Sequence, residues 1–285
     1  MCPSATEHHH PVTESTPGAA IALATLPNLR DLGGWRTADG RQVRSGMLFR
    51  STDLAKLAAT DRTVFDALRI ETIYDFRSTA ERTSEPDIVL DGVQEVVLDV
   101  LADAPHAIPG NLTRVLSDPA TLAAAQSELG GRGVLELMES SYDQLVTLPS
   151  ALTSYQGFYR GLLGDHPTPA LFHCTTGKDR TGWASASFLT LMGVPRDDVF
   201  REYLLTNDQL IPALEPIFAA FAQAGGDREV LRPVLGVDRS YLERAFAAME
   251  ERYGSIESYF ADGLGIDRDQ QQRLRALYLD EPSPS

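Results

Sequence analysis

Cysteine is nearly absent from this 285-residue chain: there are two, Cys2 near the start and Cys174 deep in the sequence. No disulfide framework is implied, and Cys174 reads as a free thiol. Long apolar runs are lacking too. None reaches the roughly 18 residues of a membrane span, and the first residues have neither the basic start nor the apolar middle of a signal peptide. A cytoplasmic protein without integral membrane association is expected. Positive charge is scarce, with a formal net charge of −15. Long-range repulsion therefore opposes nucleic acid and anionic membrane surfaces as partners, so an anionic ligand must be held by local field. No internal repeat is detectable.

Residues 1–20 mix Pro, Ser, Thr and Glu with His8, His9 and His10 and offer too little apolar surface to repay ordering. They read as a disordered leader, and the histidines as adventitious rather than as a metal site. No metal or other cofactor is expected. Residues 21–285 read as one domain, clearly globular from Leu26 onward. Met47-Leu48-Phe49, Thr72-Ile73-Tyr74-Asp75-Phe76 and residues 93–98 and 169–173 read as strands. Between the first two, Val64, Phe65 and Leu68 recur at helical spacing after Thr60 and Asp61, which suit a cap. That alternation predicts an α/β sheet with crossover helices.

Residues 99–148 break the rhythm, with Pro105, Pro109, Pro119 and Gly130-Gly131-Arg132-Gly133 among short helical stretches. They read as an inserted, mobile segment. A helical stripe returns over 150–163, and residues 197–205, 211–224, 240–253 and 268–279 read as packing helices.

The chemistry concentrates in His173-Cys174-Thr175-Thr176-Gly177-Lys178-Asp179-Arg180-Thr181-Gly182. Here a thiol ends a buried strand and a helical period over 180–192 begins at once. Backbone N–H groups of such a turn form an anion nest, and the helix dipole adds to it. Gly177 permits backbone angles that a Cβ forbids, and the planar fork of Arg180 suits two phosphate oxygens. The same field favours the thiolate of Cys174, which is the nucleophilic form. Attack on a phosphate monoester would give a phosphocysteine that water hydrolyses, without a metal. Thr181 is placed to donate to the sulfur when it leaves, and His173 to prop the loop from behind. For the proton on the leaving group Asp179 comes first, with Asp99 and Asp103 as alternatives. A small buried cysteine at a strand end would explain neither the glycine nor Lys178-Asp179-Arg180.

The loop resembles that of the bacterial protein tyrosine phosphatases of the mycobacterial B type, which carry His-Cys-x-x-Gly-Lys-Asp-Arg-Thr-Gly. Asn28-Leu29-Arg30-Asp31-Leu32-Gly33-Gly34, Leu48-Phe49-Arg50-Ser51 and Asp75-Phe76-Arg77-Ser78 are similar to the family's upstream motifs, in the same order. Tyr203-Leu204-Leu205-Thr206-Asn207-Asp208 and Tyr253-Gly254-Ser255 continue the likeness, which spans about residues 26–280. The resemblance implies a phosphatase-type α/β fold, with a central mostly parallel sheet flanked by helices and a helical lid, residues 99–148. It implies activity on phosphotyrosine and, in some members, on phosphoserine, phosphothreonine and phosphoinositides, with inorganic phosphate as product. By position Cys174 is similar to the nucleophile and Arg180 to the phosphate clamp, with Thr175, Thr176, Gly177, Lys178, Thr181 and Gly182 around the substrate. Where the family often has Pro-Asp, this chain reads Leu98-Asp99-Val100-Leu101-Ala102-Asp103, which favours Asp179 as the acid.

Other features divide between roles. Arg30, Arg36, Arg41, Arg44 and Arg50 either flank the site or form a solvated stretch, with only Arg50 expected to face the loop. Asp75 and Arg77 suit an ion pair bracing the loop more than catalysis. Trp183 reads as core, and Tyr203, Asn207 and Asp208 as holding the loop or capping a helix. Two functions compete with hydrolysis: recognition of phosphate with little turnover, and sulfur transfer, whose loops lack Lys178-Asp179-Arg180.

Overall fold

In Leu48-Phe49, Ile73-Tyr74 and Ala170-Leu171-Phe172 successive residues are apolar, so a sheet built from them needs cover on both faces. The computed structural model, which describes residues 16–104, 132–164, 167–223 and 225–281, supplies it. Strands β1 (Arg30–Asp31), β2 (Leu48–Ser51), β3 (Thr72–Asp75), β4 (Gln94–Val97) and β5 (Ala170–His173) lie in the order β1-β2-β5-β3-β4. All are parallel except β1, which runs antiparallel to β2. Leu48, Tyr74, Ala170 and Phe172 face one apolar cluster, and Phe49, Ile73 and Leu171 face the other.

Helix α1 (Arg62–Ala67) closes the second cluster with Phe65. Helix α2 (Thr79–Ser84) follows β3 and starts on a capping box, in which Ser78 Oγ accepts from the Glu81 N–H and the Glu81 carboxylate accepts from the Ser78 N–H. Among the described residues the longer helices that follow are α3 (Arg132–Thr147), α4 (Pro149–Gly161), α5 (Asp179–Met192), α6 (Arg196–Leu210), α7 (Glu215–Gln223), α8 (Arg228–Leu235), α9 (Arg239–Tyr253) and α10 (Arg268–Tyr278). Helix α4 lays Phe158 edge-on against Tyr74 and Phe76 of the sheet side. Every residue of α5 except Asp179 and Thr190 is buried. Its serine hydroxyls survive there because Ser185 and Ser187 donate back to the carbonyls of Thr181 and Trp183.

The strands β2 to β5 lie where the apolar runs placed them, and β1, α2 and α8 are additional. β1 has only two residues, α2 only six, and α8 carries Pro233 in its interior, so none has a readable period. Two expectations change. Residues 16–20 are not a free leader: Gly18 is buried and Ala20 bridges Arg30 in antiparallel fashion. Within the segment read as a mobile insertion, α3 buries Met138, Tyr142, Leu145 and Val146 in the main core, with Val134 buried one turn before them, because its apolar residues recur at i, i+4 and i+8. Cys2, the three histidines and the prolines at 105, 109 and 119 lie outside the described residues.

Candidate active site

Strand β5 lies between β2 and β3, with Ser51, His173 and Asp75 in register at their carboxyl ends. The loop from Cys174 to Lys178 therefore leaves the sheet at its centre and enters α5 directly, a placement in which open α/β sheets bind ligands. Its backbone is stitched to both flanking strands. The Asp53 N–H donates to the Thr175 carbonyl at 3.2 Å, and the Phe76 N–H to that of His173 at 2.9 Å. Gly177 has φ +65°, and a Cβ there would stand 2.2 Å from the Ser51 carbonyl oxygen. Only glycine allows this approach.

Behind the loop sits a buried cluster of charge. Arg50 donates to the Gly177 carbonyl at 2.6 Å and to both oxygens of Glu202 at 3.0 and 2.7 Å. Arg30 joins the same carboxylate at 2.8 Å. Asn28 Nδ2 donates to the carbonyls of Thr176 and Gly177 at 3.3 and 3.0 Å. Burial, then the neighbouring Arg50, push the Arg30 guanidinium down to about 10, against the pull of Glu202. Glu202 is raised by burial but held below its ordinary value by the two arginines.

On the opposite flank Arg180 forks onto Glu81, with Nη1 to Oε2 at 2.8 Å and Nη2 to Oε1 at 2.6 Å. Thr175 Oγ1 donates to the same carboxylate. Burial opposes ionisation of Glu81, but the Arg180 fork outweighs it and holds the carboxyl well below its usual range. Cys174 is 1% exposed beneath the loop. Lys178 Nζ reaches both oxygens of Asp179 at 2.8 Å, and Tyr142 Oη donates to Oδ1 at 2.8 Å.

His173 lies with Nδ1 3.3 Å from the Cys174 carbonyl and Nε2 3.2 Å from Asp87. Burial lowers its affinity for a proton, but Asp87 and Asp75 reverse that, leaving it raised. Among the described residues Asp75, Asp87 and His173 could together hold a metal ion. Arg77 already bonds both of these carboxylates, at 2.8 and 2.6 Å, and supplies the positive charge a cation would bring.

A family model described as the tyrosine phosphatase family matches residues 21–280. The chain belongs to the tyrosine phosphatase family. A protein of Cupriavidus necator named a tyrosine-protein phosphatase is 32% identical, over 95% of this chain and 94% of its own. The triple specificity protein phosphatase PtpB of Mycobacterium tuberculosis is 31% identical, over 91% of this chain and all of its own. The solved structure of P. aeruginosa TpbA covers 70% of this chain and 96% of its own at 18% identity, with a TM-score of 0.29, too slight a likeness to bear on the fold.

In this phosphatase several residues sit differently from the sequence-based expectation. The buried hydroxyl of Thr181 has no hydrogen-bond partner in the resting structure. Gly182 lies against α6, where a Cβ would stand 3.0 Å from the Tyr203 ring. Tyr203 caps no helix and reaches the loop through Tyr142, whose hydroxyl is 2.6 Å away. Asn207 bonds the backbone of Val237 instead. Asp99 accepts from the Leu101 N–H, and Asp103 from Ser150 at the start of α4. Arg36 and Arg44 line a cleft of about 720 Å³ with Arg201, beside Met47 at the amino end of β2 and away from the loop. Glu81, Glu202, Asn28 and Tyr142 had no role in the sequence reading. For Glu81 a signal existed, since Ser78-x-x-Glu81 is a capping-box pattern straight after a strand.

Proposed function

We propose that this enzyme hydrolyses phosphate monoesters through a phosphocysteine on Cys174. The observation that carries the reading is the fork of Arg180 on Glu81 at the mouth of a strand-loop-helix turn. A guanidinium already held on one edge is pre-aimed, so little ordering cost remains when phosphate oxygens arrive. The sulfur attacks phosphorus, the ester oxygen leaves, and Asp179 supplies its proton. Water then cleaves the phosphocysteine, with Asp179 taking a proton back. Asp179 is favoured over Asp99 and Asp103 because it opens α5 at the end of the loop, next to Arg180, whereas the other two serve a turn and a helix start. Phosphotyrosine is the first substrate class. The triple specificity in the name of the mycobacterial relative extends the candidates to phosphoserine, phosphothreonine and phosphoinositides.

The test is release of phosphate from para-nitrophenyl phosphate in the presence of chelator, with Cys174→Ala as control and rapid acid quench to trap phosphocysteine. Turnover that survives Cys174→Ala, or that chelator abolishes, sinks the proposal.

A further inference from the structure

Asp179 is tied to the helical body of the protein by two tyrosines that the chemistry above does not use. Tyr142 of α3 and Tyr203 of α6 are both fully buried. The Tyr142 hydroxyl stands 2.8 Å from Asp179 Oδ1 and 2.6 Å from the Tyr203 hydroxyl. A tyrosine hydroxyl has one proton. Once Tyr142 donates its hydrogen bond to Asp179 Oδ1, which accepts it both in the carboxylate and in the acid protonated on Oδ2, the bond between the tyrosines must be donated by Tyr203. The chain is therefore directional, from Tyr203 to Tyr142 to Asp179.

Its geometry is built by packing. Gly182 lets the Tyr203 ring lie close on α5, and the Tyr142 ring is held between those of Tyr203 and Tyr241 at centroid distances of 6.2 and 5.6 Å. Burial above all, and then the Asp179 charge, push both hydroxyls well above their ordinary values, so both remain donors. Lys178 alone could swing Asp179 on its flexible stem. Tyr142, locked on three sides by ring contacts and the Tyr203 bond, cannot.

We propose that Tyr142, backed by Tyr203, is a positioning residue that fixes the Asp179 carboxyl for proton transfer to the leaving group. This rests on the reading of Asp179 as the acid. Proton donation matters most when the departing oxygen is basic. The constant kcat/KM reports the first chemical step, transfer of the phosphoryl group to sulfur. The experiment compares kcat/KM on phenyl phosphate, whose phenoxide needs a proton, with 2,4-dinitrophenyl phosphate, whose phenolate does not.

Asp179→Asn is expected to lose on the order of 100-fold more on the first than on the second. Tyr142→Phe, which keeps the ring, is expected to show the same bias at about tenfold. The double variant should be no worse than Asp179→Asn alone, because Tyr142 acts through Asp179. Tyr203→Phe, which removes only the backing bond, should show the bias more weakly, and it carries the test should Tyr142→Phe fold poorly. A biased Asp179→Asn together with equal losses on both esters in the tyrosine variants overturns the positioning role while leaving Asp179 as the acid. An unbiased Asp179→Asn removes the reading of Asp179 itself.

Discussion

Two buried glutamates flank the phosphate loop, and they hold it in different ways. On the β2 side Glu202 meets two arginines, Arg30 and Arg50, each fully buried. One carboxylate cannot satisfy two guanidinium forks, so surplus donors go elsewhere: Arg50 to the Gly177 carbonyl, and Arg30 to the Asn28 carbonyl and to the side chains of Asn28, Gln209 and Thr206. On the β3 side Glu81 meets one arginine and adds hydroxyls from Thr175 and Ser78. There the charges balance, and what is fixed is the direction of the Arg180 side chain. One cluster grips the backbone of the loop, and the other fixes the direction of the arginine that follows it.

The largest effect expected of that difference is on stability. Glu202→Ala leaves two buried guanidinium groups uncompensated, which costs about 3–5 kcal/mol. Chemical denaturation should show it as a large fall in midpoint. A midpoint near that of the wild type would mean that the cluster is dispensable to the fold.

Next comes Glu81→Gln, expected to act on turnover. Gln keeps the capping box of α2 but removes the charge that orients Arg180. A loss of kcat on the order of 100-fold with a modest fall in stability is expected. Equal damage to stability and turnover would erase the contrast with Glu202. Both carboxyls sit below their unfolded values. The stability they add is complete above the unfolded value of about 4.3 and is lost as pH falls through the lowered folded values. Acid unfolding curves of Glu81→Gln should lose part of that limb.

The smallest effect has the opposite sign. Asp53, whose backbone supports the loop, is raised to about 6 by burial, with Asp87 adding to it and Arg77 and His173 opposing. Its folded form prefers the proton, so stability falls as pH rises from about 4 to about 6 and stays lower above that. Asp53→Asn should therefore melt higher than the wild type at pH 8, with the advantage fading below pH 5. A lower melting point at pH 8 would show that the Asp53 carboxylate is instead part of the charge balance around Arg77.

Much of the site was legible because it is contiguous. A strand, a five-residue turn and a helix start carry the cysteine, the glycine, the lysine, the aspartate and the arginine within ten positions, and backbone geometry alone constrains their order. The strands β2, β3 and β5 were legible for the same reason, each being a local apolar run. Helix α3 was hidden because its apolar stripe follows a segment rich in proline and glycine.

The sequence by itself determined the loop and the apolar strands that present it, since these depend on residues next to one another. Only the tertiary structure decided what the loop leans on. Glu81 stands 99 residues from Arg180, and Glu202 stands 152 from Arg50. Glutamates and tyrosines are common enough that no spacing marks them. They acquire their roles when burial leaves each charge and hydroxyl a single set of partners within reach.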